Sequence, residues 1–383
     1  AEPQQIHPQL HNSTPPASTQ TSIPPDQLGP EPIWSTWRTT HPNRDLRSDA
    51  RIFGTNIRIT DDQPFVFDKA ELDPFKLGNE SLRFSRPGAF VYLVSHGKFA
   101  MQLVTSIQHL VKFFFEIDAG HRGKYEIVVF YYPDVNQSEM TQITAAAFSS
   151  YSRLKIKLRW HPFPAPRIPY SLLADHLGDH EWYPTTCNNV CCKDMWGKDY
   201  LLMGLFRIQI QFMVPLLQQY EYIWTSDADL FFQSPIMCDP FAVMKKYHLG
   251  LGHYNSGFEL QSCPMKHLVE SMIIWANMND VSTSWEEQVN PQSSFGGAFI
   301  LHDMRMFTSD MYQSLAAYFI KTGGLWKYRW TEQNLWPHVV ALLSPGKSHQ
   351  FCRLKIAHKQ LKSLIWKDRE KIPAANDTLC NSL

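Results

Sequence analysis

The stretch Tyr220-Glu221-Tyr222-Ile223-Trp224-Thr225-Ser226-Asp227-Ala228-Asp229-Leu230-Phe231-Phe232 passes from apolar residues through two carboxylates one residue apart and out into apolar residues again. Tyr, Ile, Trp and Phe favour strands, and an unbroken run of them reads as a central parallel strand buried on both faces. Two-residue periodicity places Asp227 and Asp229 on one side of an extended chain, and a turn there brings both towards one point. Hard divalent cations such as Mn2+ or Mg2+ take carboxylate oxygens and keep phosphate or water as further ligands, so an Asp-x-Asp at a strand end suits a cation-bound diphosphate. Asp is also common in plain turns. The apolar helix and strand before the pair, and Leu230-Phe231-Phe232 after it, favour the metal reading.

Working outward, Ala89-Phe90-Val91-Tyr92-Leu93-Val94-Ser95 reads as a first buried strand, with Ser95-His96-Gly97 opening a helix. Phe99, Leu103, Ile107, Leu110, Val111 and Phe114 share one face of that helix, and Tyr125 to Tyr132 is a second strand ending at Pro133-Asp134. Strand, helix and strand in this order form a right-handed crossover, whose ligands bind at the carboxyl ends of the strands. That nominates Ser95, His96 and Asp134 as neighbours of a nucleotide. Lys155 to Trp160 reads as a third strand.

Tyr200 to Leu217 is apolar on nearly every face, so this helix is buried beneath the sheet. Lys198 at its start and Arg207 within it are the exceptions. A buried Arg207 requires an anionic partner, either a diphosphate or a structural carboxylate. Further along, Leu249 to His253 reads as a strand, Met265 to Met278 as an amphipathic helix, and Ser294 to Leu301 as a strand with glycines that let a sugar approach the backbone or mark a bulge.

With 383 residues, 44% of them hydrophobic, the chain can bury a large core. Its 36 basic and 36 acidic residues balance, which argues against nucleic acid as a partner. No run of eighteen apolar residues is present, so any membrane attachment is expected through an N-terminal anchor absent from this chain. Residues 1–48, rich in Pro, Gln, Ser, Thr and His, read as a flexible stem, and 49–383 as one catalytic domain. Seven cysteines, three of them at Cys187, Cys191 and Cys192, favour disulfides over zinc. Sequons at Asn12, Asn79, Asn136 and Asn376 fit a glycoprotein of the secretory lumen, Golgi or ER.

The acidic pair at a strand end resembles the Asp-x-Asp motif of nucleotide-sugar glycosyltransferases with the GT-A fold. Two further stretches narrow the likeness. Pro215-Leu216-Leu217, Tyr220-Glu221 and Trp224 run into the acidic pair as in the KTR family of fungal α-1,2-mannosyltransferases. Lys321-Thr322-Gly323-Gly324, Arg329-Trp330 and Glu332 are similar to that family's block near the acceptor pocket, over roughly residues 195 to 360.

The resemblance implies an α/β, GT-A-like (Rossmann-like) mixed sheet flanked by helices. It implies hexose transfer, mannose from GDP-mannose foremost, to a glycan or glycoprotein acceptor. By position, Asp227, Asp229 and His358 would hold Mn2+ or Mg2+, Lys198 or Arg207 would assist at the diphosphate, and Glu332 would orient or deprotonate the acceptor or stabilise an oxocarbenium-like sugar. Ile300 falls where the family carries a Glu considered as a nucleophile, and Asp-Ala-Asp replaces Glu-Pro, which leaves UDP-sugars open as donors. A non-catalytic carbohydrate-binding protein on the same fold is the alternative from another class. A sugar-nucleotide pyrophosphorylase is disfavoured because no Gly-rich nucleotide loop stands near the first strand.

Overall fold

The computed structural model describes residues 82–94, 98–163, 198–258, 265, 267–282, 284–285, 289–322, 324–351 and 354–358. The expected stem (1–48), Ser95, His96 and every cysteine except Cys238 lie outside the described residues.

In chain order the elements that build the sheet and its two covers are β1 (Arg86–Val94), α1 (Lys98–Leu110), β2 (Glu126–Tyr131), α2 (Gln137–Phe148), β3 (Lys157–Pro162), α3 (Lys198–Leu205), β4 (Tyr220–Ser226), β5 (Leu230–Phe232), α4 (Pro240–Lys246), β6 (Leu251–His253), β7 (Ser256–Phe258), α5 (Leu268–Met278), β8 (Ser293–Phe295), β9 (Phe299–Asp303), α6 (Asp310–Lys321), α7 (Glu332–Leu343), β10 (Ser348–Gln350) and β11 (Ile356–His358). Among the described residues a seven-stranded sheet runs β10-β6-β9-β4-β1-β2-β3. β1 pairs in parallel with β2 and β4, β2 with β3 and β6 with β10, while β9 runs antiparallel between β4 and β6. The fold is therefore mixed α/β, and β4 is the central strand that its apolar run predicts.

Alternation along the strands divides the core in two. Ala89, Val91, Val128, Phe130 and Ile223 face one layer, where α3, α5, α6 and α7 cover them. Phe90, Tyr92, Ile127, Val129 and Trp224 face the other, against α1 and α4. Trp224 is wholly buried and packs edge-on to Phe299 with ring centroids 4.1 Å apart.

The helix expected over Tyr200 to Leu217 is interrupted. After α3 the chain widens into a π turn at Phe206–Ile210, returns to α over Gln211–Met213, and breaks at Val214 before a new turn at Pro215–Gln218. The break follows from Pro215, which disfavours helical geometry in the residue before it and leaves Val214 at ψ 113°.

Candidate active site

Parallel pairing sets the carboxyl ends of β1, β2, β3, β4 and β6 along one edge of the sheet, and antiparallel β9 begins there. Asp227 leaves β4 at this edge. Its N–H donates to Ala298 O at 3.2 Å, tying the acidic turn to the residue before β9, and Leu230 N–H donates back to Asp227 O at 3.2 Å. β11 lies antiparallel to β5 with His358 opposite Leu230, the residue that follows Asp229.

Arg207 projects towards this edge from the π turn, a local widening found disproportionately at functional sites. Thr225 Oγ1 in β4 donates to Gln211 Oε1 at 2.9 Å, and the Gln211 amide donates to Arg207 O, so the strand fixes the turn that carries the arginine. Arg207 Nη1 donates to Glu332 Oε1 at 3.0 Å and to Gly297 O at 2.9 Å, and Nη2 donates to Asp227. Burial works against the Arg207 charge, but the carboxylates of Asp227 and Glu332 outweigh it and push its pKa up. For Glu332 burial dominates and raises the carboxyl above its ordinary range, with Arg207 opposing.

Of the two partners open to Arg207, the structure supplies carboxylates. Glu332, expected beside the reacting sugars, is 2% exposed and bonded through Oε1 to Arg207, with its Oε2 buried and without a hydrogen-bond partner among the described residues. Asp227 keeps about a quarter of its side chain exposed, and Asp229 is buried. Asp134 is exposed beyond the end of β2. Lys198 begins α3, but its side chain, like that of His358, lies outside the described residues. Ile300 is buried in β9, its side chain in the core.

Two hard carboxylates in one turn, one partly exposed, are donors of the kind that suit Mn2+ or Mg2+, and strand pairing sets the backbone of His358 opposite Leu230 in the same segment. Among the described residues no three such side chains cluster closely enough to hold an ion, and the third expected ligand is the His358 side chain.

Two features of the site were not read from the sequence. Tyr200 is mostly buried near Glu332, Arg329, Arg207 and Asp227, and its hydroxyl is pushed up to about 12 by burial first and by the Glu332 charge second. Its place seven residues before Arg207, on the same helical face, was the available signal. The other is the fit between Gly297 and Glu332, where a Cβ on the glycine would stand 2.7 Å from Glu332 Oε1.

No protein-family model and no curated protein matches this chain. Solved structures do. The mannosyltransferase Ktr4p from S. cerevisiae superposes with TM-score 0.58 at 16% identity, covering 76% of this chain and 78% of that one. Its complex with GDP gives 0.56 at 17%, covering 76% and 79%. Core-mannan synthase A (CmsA/Ktr4) from Aspergillus fumigatus, in an Mn/GDP form, gives 0.56 at 17%, covering 71% and 74%. The fold is GT-A-like. The GT-A-like sheet and its remote likeness to fungal mannosyltransferases agree with what the acidic turn and its flanking motifs imply.

Proposed function

We propose that this chain is a metal-dependent glycosyltransferase that moves a hexose, mannose from GDP-mannose, from a nucleotide diphosphate sugar to a glycan or glycoprotein hydroxyl in the Golgi or ER lumen. The observation that carries the reading is the acidic turn at the carboxyl edge of the sheet, tied by Arg207 to a buried carboxylate. Fold likeness to mannosyltransferases supports mannose over other hexoses.

Asp227, Asp229 and His358 would hold Mn2+ or Mg2+, whose charge offsets that developing on the leaving diphosphate. Arg207 donates to Asp227 and holds it at the edge of the sheet. Glu332 is a positioning residue: it fixes the Arg207 fork from behind, and the Gly297 backbone stands before it. With an apolar Ile300 buried in β9, a covalent intermediate on that position receives no support.

Donor turnover measured across a panel of GDP- and UDP-sugars, with and without Mn2+, tests this. Mn2+-dependent turnover of GDP-mannose is expected. Turnover confined to a UDP-sugar would reassign the donor, and the absence of metal-linked binding of any nucleotide would replace the enzyme reading with a carbohydrate-binding protein.

A further inference from the structure

β7 and β8 form a two-stranded ribbon apart from the main sheet, paired Ser256 to Phe295, Gly257 to Ser294 and Phe258 to Ser293. Its inner end is the candidate site itself. Ser256 follows Asn255 and Phe295 precedes Gly296, whose N–H donates to Asn255 O at 3.2 Å. The next residue, Gly297, gives its carbonyl to Arg207. At the outer end Phe258 is 54% exposed and belongs to neither core cluster. It lies three positions along the extended chain from Asn255, about 10 Å at the rise of a strand.

We propose that this ribbon is the acceptor track, with Phe258 the stacking platform for a sugar of the acceptor glycan beyond the one that reacts. The proposal rests on the glycosyltransferase reading. None of the six ribbon residues is charged, so the surface suits a neutral ligand and not a phosphate or an acidic peptide. Three serines and a glycine leave a low, hydroxyl-bearing surface, and the exposed ring of Phe258 is an apolar surface on which the C–H side of a pyranose can rest. That pairing of an apolar platform with a few polar groups is how a polyhydroxylated ligand is gripped. At the inner end the ribbon is held by close packing: a Cβ on Gly296 would stand 1.9 Å from Asn255 Oδ1, so only glycine lets the Asn255 side chain lie against the backbone there.

The test compares wild type, Phe258→Ala and Phe258→Trp with a neutral oligomannoside acceptor at fixed donor. The KM for acceptor is expected to rise tenfold or more in the alanine variant, with a much smaller change in kcat, and to return towards the wild-type value with tryptophan. An unchanged acceptor KM in Phe258→Ala overturns the track, as does an equal loss in the alanine and tryptophan variants. If the wild type turns over no donor at all, the transferase reading fails separately, and the ribbon is then judged by direct titration of the chain with the same oligomannoside. Binding lost in Phe258→Ala upholds it, and binding that is equal in both chains, or absent from both, overturns it.

Discussion

Arg207 donates to Glu332 at 3.0 Å across 125 residues of sequence, and the same guanidinium reaches Asp227. The pair is almost fully buried, with side-chain exposures of 5% and 2%. Removing one partner leaves an uncompensated charge in the core, which costs more than the pair contributes. Arg207→Met should therefore lower unfolding stability by about 3–5 kcal/mol. The double variant Arg207→Met/Glu332→Met should recover much of that loss without recovering activity. Urea denaturation of the single and double variants measures both, and a double variant no more stable than the single would contradict the account.

Asp227 and Asp229 differ in burial but share one turn, so they should differ in stability cost and agree in function. Asp227→Asn is expected to cost little in stability, because its side chain is a quarter exposed and Arg207 keeps Glu332. Both Asp227→Asn and Asp229→Asn should remove the Mn2+ dependence of GDP binding, read by calorimetry with and without the ion. Undiminished metal-linked binding in either variant would sink the assignment of that residue.

Much of the fold was legible because the relevant signals are local. The Tyr220 to Ser226 run and the apolar runs of β1 and β2 act through neighbouring residues, and these strands appear where expected. Pro215 is just as local a signal, but the uniformly apolar reading of Tyr200 to Leu217 passed over it, and the helix breaks there. The contents of the site were less legible because they depend on contacts between distant segments. Nothing in the sequence around Phe206 marks a π turn, and a buried Arg207 shows only that some anion must meet it. That Asp227 and Glu332 together are this anion follows from how the end of β4 and the start of α7, over a hundred residues apart, meet at the edge of the sheet. The approach of His358 to the acidic turn is likewise set by strand pairing, β11 on β5, between segments over a hundred residues apart.

Acid should unfold this protein through its buried histidines. His253 and His302 are 2% and 1% exposed, and burial drives both pKa values down to about 3. The unfolded chain takes up these protons near the usual histidine pKa of about 6.5, so it binds more protons than the native state between pH 6.5 and 3. Stability is then full above pH 6.5 and falls as pH drops, by up to about 1.4 kcal/mol per pH unit for each histidine. His302→Phe, which keeps the aromatic contacts with Phe212, Phe307 and Trp336, should flatten the decline of stability between pH 6.5 and 4.5. Equal slopes for the variant and the wild type would show that His302 is not one of the groups responsible.

Gly297 offers the sharpest test of how tightly the site is built. A Cβ added there would stand 2.6 Å from Gln333 Cγ and 2.7 Å from Glu332 Oε1. The Gln333 amide end could swing aside, but its Cγ sits near the helix backbone and the Glu332 oxygen is already held by Arg207. Gly297→Ala should therefore push Glu332 off the guanidinium, cost about 1–3 kcal/mol as an overpacking change, and reduce turnover. Gly257 provides the contrast, because a Cβ there meets nothing within 4 Å and Gly257→Ala should stay within about 0.5 kcal/mol of wild type. Thermal denaturation of the two alanine variants side by side decides the matter: equal stabilities would mean that the Gly297 contact with Glu332 does not constrain the site.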